Sequence, residues 1–251
     1  MRHPAVSQNF VIPAKITTMG VKIHIANADR QFTQNDRRII RSAVDSAWSF
    51  LDKRFKIDYD IDLVITEPLS ILPTIPEDGI TARAYKPGFI MLSIDKSQHK
   101  ISEDFLFETV CHEMAHSVRW SRVPEFANTL FDNAIMEGLA IVLEETAIRK
   151  GGRDYQQFFL TTMQETPKVT INSIIREFKG RLYSERYDYE KDFYTGDERL
   201  PRWSAYALGY HFVKEYLNKT GESIFDATTD SYAEFKKCLR LPYDKLRSSK
   251  C

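Results

Sequence analysis

Cysteine is scarce: three residues, at 111, 238 and 251, in a chain of 251. They are too few and too scattered for a disulfide framework, so stability has to come from an apolar core, and a reducing compartment is expected. Long hydrophobic runs are missing too. No stretch approaches the eighteen apolar residues a membrane-spanning helix needs, and the first thirty residues hold nothing like the apolar segment of a signal peptide. The expected location is therefore the cytoplasm. Charge of one sign is not in excess, with 35 Lys+Arg against 35 Asp+Glu. That balance removes the electrostatic case for a nucleic-acid or anionic-membrane partner. Internal repeats and low-complexity tracts are absent. What is present, 43% apolar and 28% charged residues, suits a folded protein large enough to bury a sizeable core.

Against this plain background the run His112-Glu113-Met114-Ala115-His116 stands out. Two histidines four apart lie on one face of a helix, one turn above the other. Both imidazoles can then reach a single metal ion at the zinc–nitrogen distance of about 2.0–2.1 Å. Glu113, beside the first histidine, can touch a water on that ion. With six His and 17 Glu in the chain, random placement produces this pattern in roughly one per cent of such sequences, so its context has to decide. The context agrees. Ser102 followed by Glu103 and Asp104 reads as a helix start with acids at its positive end. Phe105, Leu106, Val110, Met114, Ala115 and Val118 then give an apolar stripe, predicting a helix over 103–120. Cys111 points away from His112 around that helix and reads as a small core residue.

A catalytic zinc usually takes three protein ligands. The metzincin continuation, Gly three and His six residues past the second histidine, is absent, since Arg119 and Arg122 occupy those places. The alternative is Glu137, in Met136-Glu137-Gly138-Leu139-Ala140. Its neighbours Ala134, Ile135, Met136, Leu139, Ala140, Ile141, Val142 and Leu143 are nearly all apolar. An acid inside such a run is costly unless it is paired or bound to metal. A turn at Ser121–Pro124 would let a second helix bring Glu137 back to the histidines. The predicted set is His112, His116 and Glu137 around one Zn2+.

The first half of the chain shows strand signals at Val21–Ile25 and Ile57–Thr66, with a helix from Thr33 or Asn35 to about residue 54 between them. Pro68–Gly79 reads as a proline-punctuated loop. Ile80–Tyr85 and Phe89–Ile94 flank Lys86-Pro87-Gly88 as a hairpin. Arg149 and Lys150 before Gly151-Gly152 mark a helix end. Further helices are expected near 155–164, 169–182, 202–218 and 230–240. Residues 183–201, rich in Tyr and charge and without a period, read as a solvated surface loop, with a flap beside the cleft as the alternative. The organisation is a loose lead-in over 1–19 and a single unit over 20–251, sheet-bearing to residue 120 and mainly helical after 121.

His112-Glu113-Met114-Ala115-His116-Ser117-Val118-Arg119-Trp120, Glu137-Gly138-Leu139-Ala140 and Tyr206-Ala207-Leu208-Gly209-Tyr210 together resemble the YjaZ-like family of predicted zinc-dependent proteases. More distantly they are similar to the gluzincins. The resemblance implies an α+β, zincin-like (thermolysin-like) catalytic domain with a small mixed sheet packed on the motif helix. It implies a zinc-dependent metallopeptidase acting on peptide or protein substrates, with Glu113 as general base. It also implies a tyrosine that stabilises the transition state, three residues before a glycine on a later helix. Tyr206 stands in that relation to Gly209, and Tyr210 and His211 are its competitors. The Asp expected four residues after the glutamate ligand is replaced by Ile141, so another group must hold the imidazoles. Asn133 and Glu108 sit on suitable helix faces, although a solvated Glu108 is the simpler reading. Ile80–Tyr85 is the expected edge strand along which an extended peptide could lie. Two other readings stay open: a zinc hydrolase for a non-peptide amide or ester, and a non-enzymatic zincin scaffold used in binding or regulation.

Overall fold

The computed structural model describes residues 19–97, 99–123 and 125–239. Most of the expected lead-in, Pro124 of the expected turn and Cys251 lie outside the described residues. The architecture is α+β: a small mixed sheet followed by a mainly helical half.

The sheet contains β1 (Val21–Ile25), β2 (Ile61–Thr66), β3 (Ile80–Lys86) and β4 (Phe89–Ile94), in the order β1-β2-β4-β3. β1, β2 and β4 run parallel, and β3 folds back antiparallel on β4 as an edge strand. Helix α1 (Gln34–Phe55) makes the crossover that a parallel β1–β2 pair requires. Thr33 and Asp36 form its capping box. Ile40, Ala43, Val44, Ala47 and Leu51 bury its inner face in the same core as Ile61, Leu63 and Ile65, the inward alternate residues of β2. The second strand begins at Ile61 rather than Ile57. Asp60 just before it is taken up by the Gly20 amide at 3.1 Å and Lys22 Nζ at 2.7 Å.

Helix α2 (Glu103–Arg122) starts where Ser102 accepts from the Phe105 amide. Its face carrying Glu113 and Ser117, four residues apart, lies along β3 and the following turn. Glu113 accepts from the Ala84 amide, and Ser117 donates to the Pro87 carbonyl. Helix α3 (Leu130–Gly151) is capped by Thr129 and Asp132, and ends at Gly152, whose φ of 64° is in the left-handed region glycine favours. It is buried on nearly every side, which is why an amphipathic pattern is missing from its sequence.

The remaining helices are α4 (Phe158–Glu165), α5 (Lys168–Phe178), α6 (Ser204–Thr220), α7 (Ile224–Ala227) and α8 (Tyr232–Cys238), with a π-helical turn at Glu190–Thr195. α6 backs onto α3 at two glycines. A Cβ on Gly138 would run into the Gly209 carbonyl, and one on Gly209 into the Ala134 carbonyl. Only this close approach brings the residue before Gly138, Glu137, alongside Tyr206, one turn before Gly209. Arg119 and Arg122 have structural tasks. The buried Arg119 guanidinium donates to the Thr228 and Asp230 carbonyls at 2.9 and 2.8 Å, and Arg122 donates to the Phe55 carbonyl.

Two sequence expectations are corrected. Residues 183–201 are a solvated loop only in part, because Asp192, Phe193 and Leu200 within them are buried and Glu190–Thr195 is helical. Cys111 is a buried free thiol, but Cys238 is disulfide-bonded, so the cysteines no longer argue for a reducing compartment. Among the described residues no helix is long and apolar enough to cross a membrane.

Candidate metal centre

Helical spacing stacks His112 and His116 on one face of α2, with their Nε2 atoms 3.2 Å apart. From α3, Glu137 Oε2 lies 3.4 Å from His112 Nε2 and 3.3 Å from His116 Nε2. The three donor atoms make a nearly equilateral triangle. An ion holding tetrahedral ligands at about 2.0–2.1 Å separates them by about 3.3–3.4 Å. The donor set and its spacing therefore fit zinc with one position left over. All three side chains are largely buried. Burial alone would raise the Glu137 carboxyl, but the imidazoles of His116 and His112 outweigh it and hold the group far below the usual carboxylate range.

His112 Nδ1 is 2.8 Å from Glu144 Oε2. Donation from Nδ1–H to that carboxylate leaves the Nε2 lone pair facing the triangle, the usual way a ligating imidazole is oriented. Burial pulls the His112 imidazole down, but Glu144 and Glu137 outweigh it and leave the ring more basic than usual. Glu144 was not foreseen. The signal available was its place seven residues, or two helical turns, after Glu137, at the end of an apolar run. The two residues considered for this task are elsewhere. Asn133 donates to the Ala127 and Thr129 carbonyls at the start of α3. Glu108 is buried rather than solvated and accepts from the Gln157 amide at 3.0 Å. His116 is held differently, stacked on Trp120 with centroids 5.8 Å apart.

Glu113 Oε2 accepts from the Ala84 amide at 2.5 Å, so the edge strand fixes the carboxylate next to the triangle. β3 is the expected edge strand, and its Ala84 backbone is already used in the site. Tyr206 sits on α6 with Phe159, Phe193 and Tyr194 edge-on around its ring at 5.2, 5.2 and 5.9 Å. Burial raises its phenol well above the ordinary range, and the nearby Glu137 charge adds to this. Tyr210 and His211 face other partners. Burial and Glu145 raise Tyr210, whose ring lies under Lys214, while His211 lies beside Glu215. Sequence reasoning missed Tyr189 and Tyr194. Burial raises both phenols, and the Glu137 charge reaches both.

A family model described as "Predicted Zn-dependent protease (DUF2268)" matches residues 41–237. Comparison with curated proteins finds no match, and neither does comparison with solved structures.

Proposed function

The chain belongs to the DUF2268 family of predicted Zn-dependent proteases, and from that premise we propose that it is a zinc-dependent metallopeptidase with a zincin-like catalytic unit. The observation that carries this reading is the triangle of His112, His116 and Glu137 with Glu113 fixed beside it. These three residues would hold the ion. Zinc bound there supplies a Lewis acid that polarises the scissile carbonyl and lowers the pKa of water towards about 7.

The chain's own groups do the rest. Glu113 takes the proton of the attacking water and returns it to the amine that leaves. Its second oxygen stays on the Ala84 amide, so the carboxylate need not reorient between those two transfers. Glu144 keeps His112 in one tautomer. A phenol near Glu137 donates to the oxyanion as charge builds; the family resemblance implies Tyr206, and Tyr194 packs against it. β3, at the end of the sheet, can align an extended peptide by main-chain hydrogen bonds.

Glu113 also argues against the non-enzymatic reading. A structural zinc site is closed by a fourth protein ligand and has no use for a base. Among the described residues only three donors gather here. Metal content and a peptide-library digest of wild type, Glu113→Gln and Glu137→Ala test the proposal. Glu113→Gln should keep its zinc and lose about 10²–10⁴ in kcat. Glu137→Ala should lose the ion. A wild type that holds zinc and cleaves small amides or esters but no peptide would overturn the choice of substrate.

A further inference from the structure

The stretch joining α5 to α6 is anchored from inside. Asp192 has no exposure and takes two hydrogen bonds from the Arg181 guanidinium, one of them at 2.8 Å. Phe193, equally buried, stacks on Tyr189 with centroids 4.5 Å apart and meets Tyr206 edge-on at 5.2 Å. The anchored turn is π-helical, an uncommon conformation that recurs at functional sites. It delivers Tyr194 against Tyr206, ring centroids 5.9 Å apart at 65°. The two phenols differ in access. Tyr194 is 39% exposed and Tyr206 is 8% exposed, enclosed by the rings of Phe159, Phe193 and Tyr194 itself. Tyr194 is also the phenol that feels the charge of both Glu137 and Glu113. It is therefore open to solvent and within electrostatic reach of both carboxylates.

We propose that Tyr194 is the catalytic phenol that meets the scissile carbonyl, and that Tyr206 is a positioning residue holding it from behind. This rests on the peptidase reading and assigns the oxyanion donor within it. An oxyanion donor has to contact a group that arrives from solvent, and it must be fixed before that group arrives. Tyr194 meets the first condition by its exposure. The second is met by the buried Asp192–Phe193 anchor on one side and Tyr206 on the other. The interaction is donation of one O–H hydrogen bond to the carbonyl oxygen as it gains negative charge, with no bond to the phenol made or broken.

The test compares zinc-loaded wild type with Tyr194→Phe, Tyr206→Phe and the double variant. Each single change removes one oxygen atom and keeps the ring packing. Two readouts are taken: kcat and KM on a peptide found in the library digest, and affinity for a phosphonamidate peptide, whose anionic tetrahedral phosphorus replaces the scissile carbonyl. Tyr194→Phe should lose about 10²-fold in kcat with KM little changed, and should weaken the phosphonamidate by a similar factor. Tyr206→Phe should lose less, about tenfold in kcat, and the double variant should be no worse than Tyr194→Phe, because residues acting as a unit are not additive. Tyr194→Phe within about twofold of wild type on both readouts would overturn the proposal, as would full additivity of the two changes. A wild type that binds the phosphonamidate more tightly than Tyr194→Phe but cleaves no peptide would sink the peptidase reading and leave the assignment of Tyr194 as anion donor standing. Failure of the zinc-loaded wild type to bind it would sink both.

Discussion

The α2–α3 pair and the 183–201 segment border the same site and are built in opposite ways. In α2 the chemistry is local. Helical geometry alone puts His112 and His116 together, and the apolar run around Glu137 announces that its acid has a special use. In 183–201 no periodic pattern does this. Tyr189 and Tyr194 reach the site because Asp192 finds Arg181 and Phe193 finds Tyr189 and Tyr206. A periodic element displays its functional residues in sequence, whereas an aperiodic one displays them only after its long-range contacts form.

Four substitutions can break or sharpen that contrast. The largest effect is expected for His116→Ala, which should remove the ion while the helix persists. Metal analysis and circular dichroism read the two outcomes separately, and full zinc occupancy in this variant would dissolve the triangle. Asp192→Ala should do the reverse, keeping zinc and losing stability. Breaking a fully buried pair costs about 3–5 kcal/mol. The Arg181 side chain is 32% exposed, and solvent screening reduces the expectation to about 2 kcal/mol, measured as a lower denaturant midpoint with metal content unchanged. Zinc loss in Asp192→Ala would show that the two regions are one cooperative unit. Gly138→Ala forces a methyl group into the α6 backbone and should cost about 1–3 kcal/mol by overpacking, with a fall in Tm as the readout. Equal stability to wild type would mean that α3 and α6 can separate freely. Glu144→Gln keeps an oxygen for His112 Nδ1 and removes the charge, so zinc affinity should drop by about 10–100-fold. Competition with a chelator would measure it, and an unchanged affinity would remove Glu144 as the group that orients His112.

The legible and illegible parts of the site divide along the same line. His112, Glu113, His116 and Glu137 could be named because metal spacing and helix periodicity are both short-range rules. Glu144 was hidden by a shift of register: the orienting acid stands seven residues past the ligand, where a search four residues past it meets Ile141. Glu108 was read as solvated because its position four residues before His112 says nothing of Gln157, whose amide covers it from 49 residues away. The same holds for the fold. β3, β4 and their hairpin, α1 and the ends of α2 follow from alternation, caps and turn residues. The short α7 is capped by Ser223 and Asp226, but its four residues are too few to show a period, and the π-helical turn has no period to betray it.

Pattern by itself placed strands in the first half of the chain and helices in the second, and it singled out the residues that converge on a candidate metal site. Spacing along a helix is a property of the sequence and survives without knowledge of the fold. Tertiary structure alone decided which acid meets His112 Nδ1, that the Ala84 amide holds Glu113, and that Tyr194 from a distant stretch packs on Tyr206. Those contacts join residues far apart in the chain, and their partners are set by backbone packing at Gly138 and Gly209 and by a buried ion pair. No local rule encodes either.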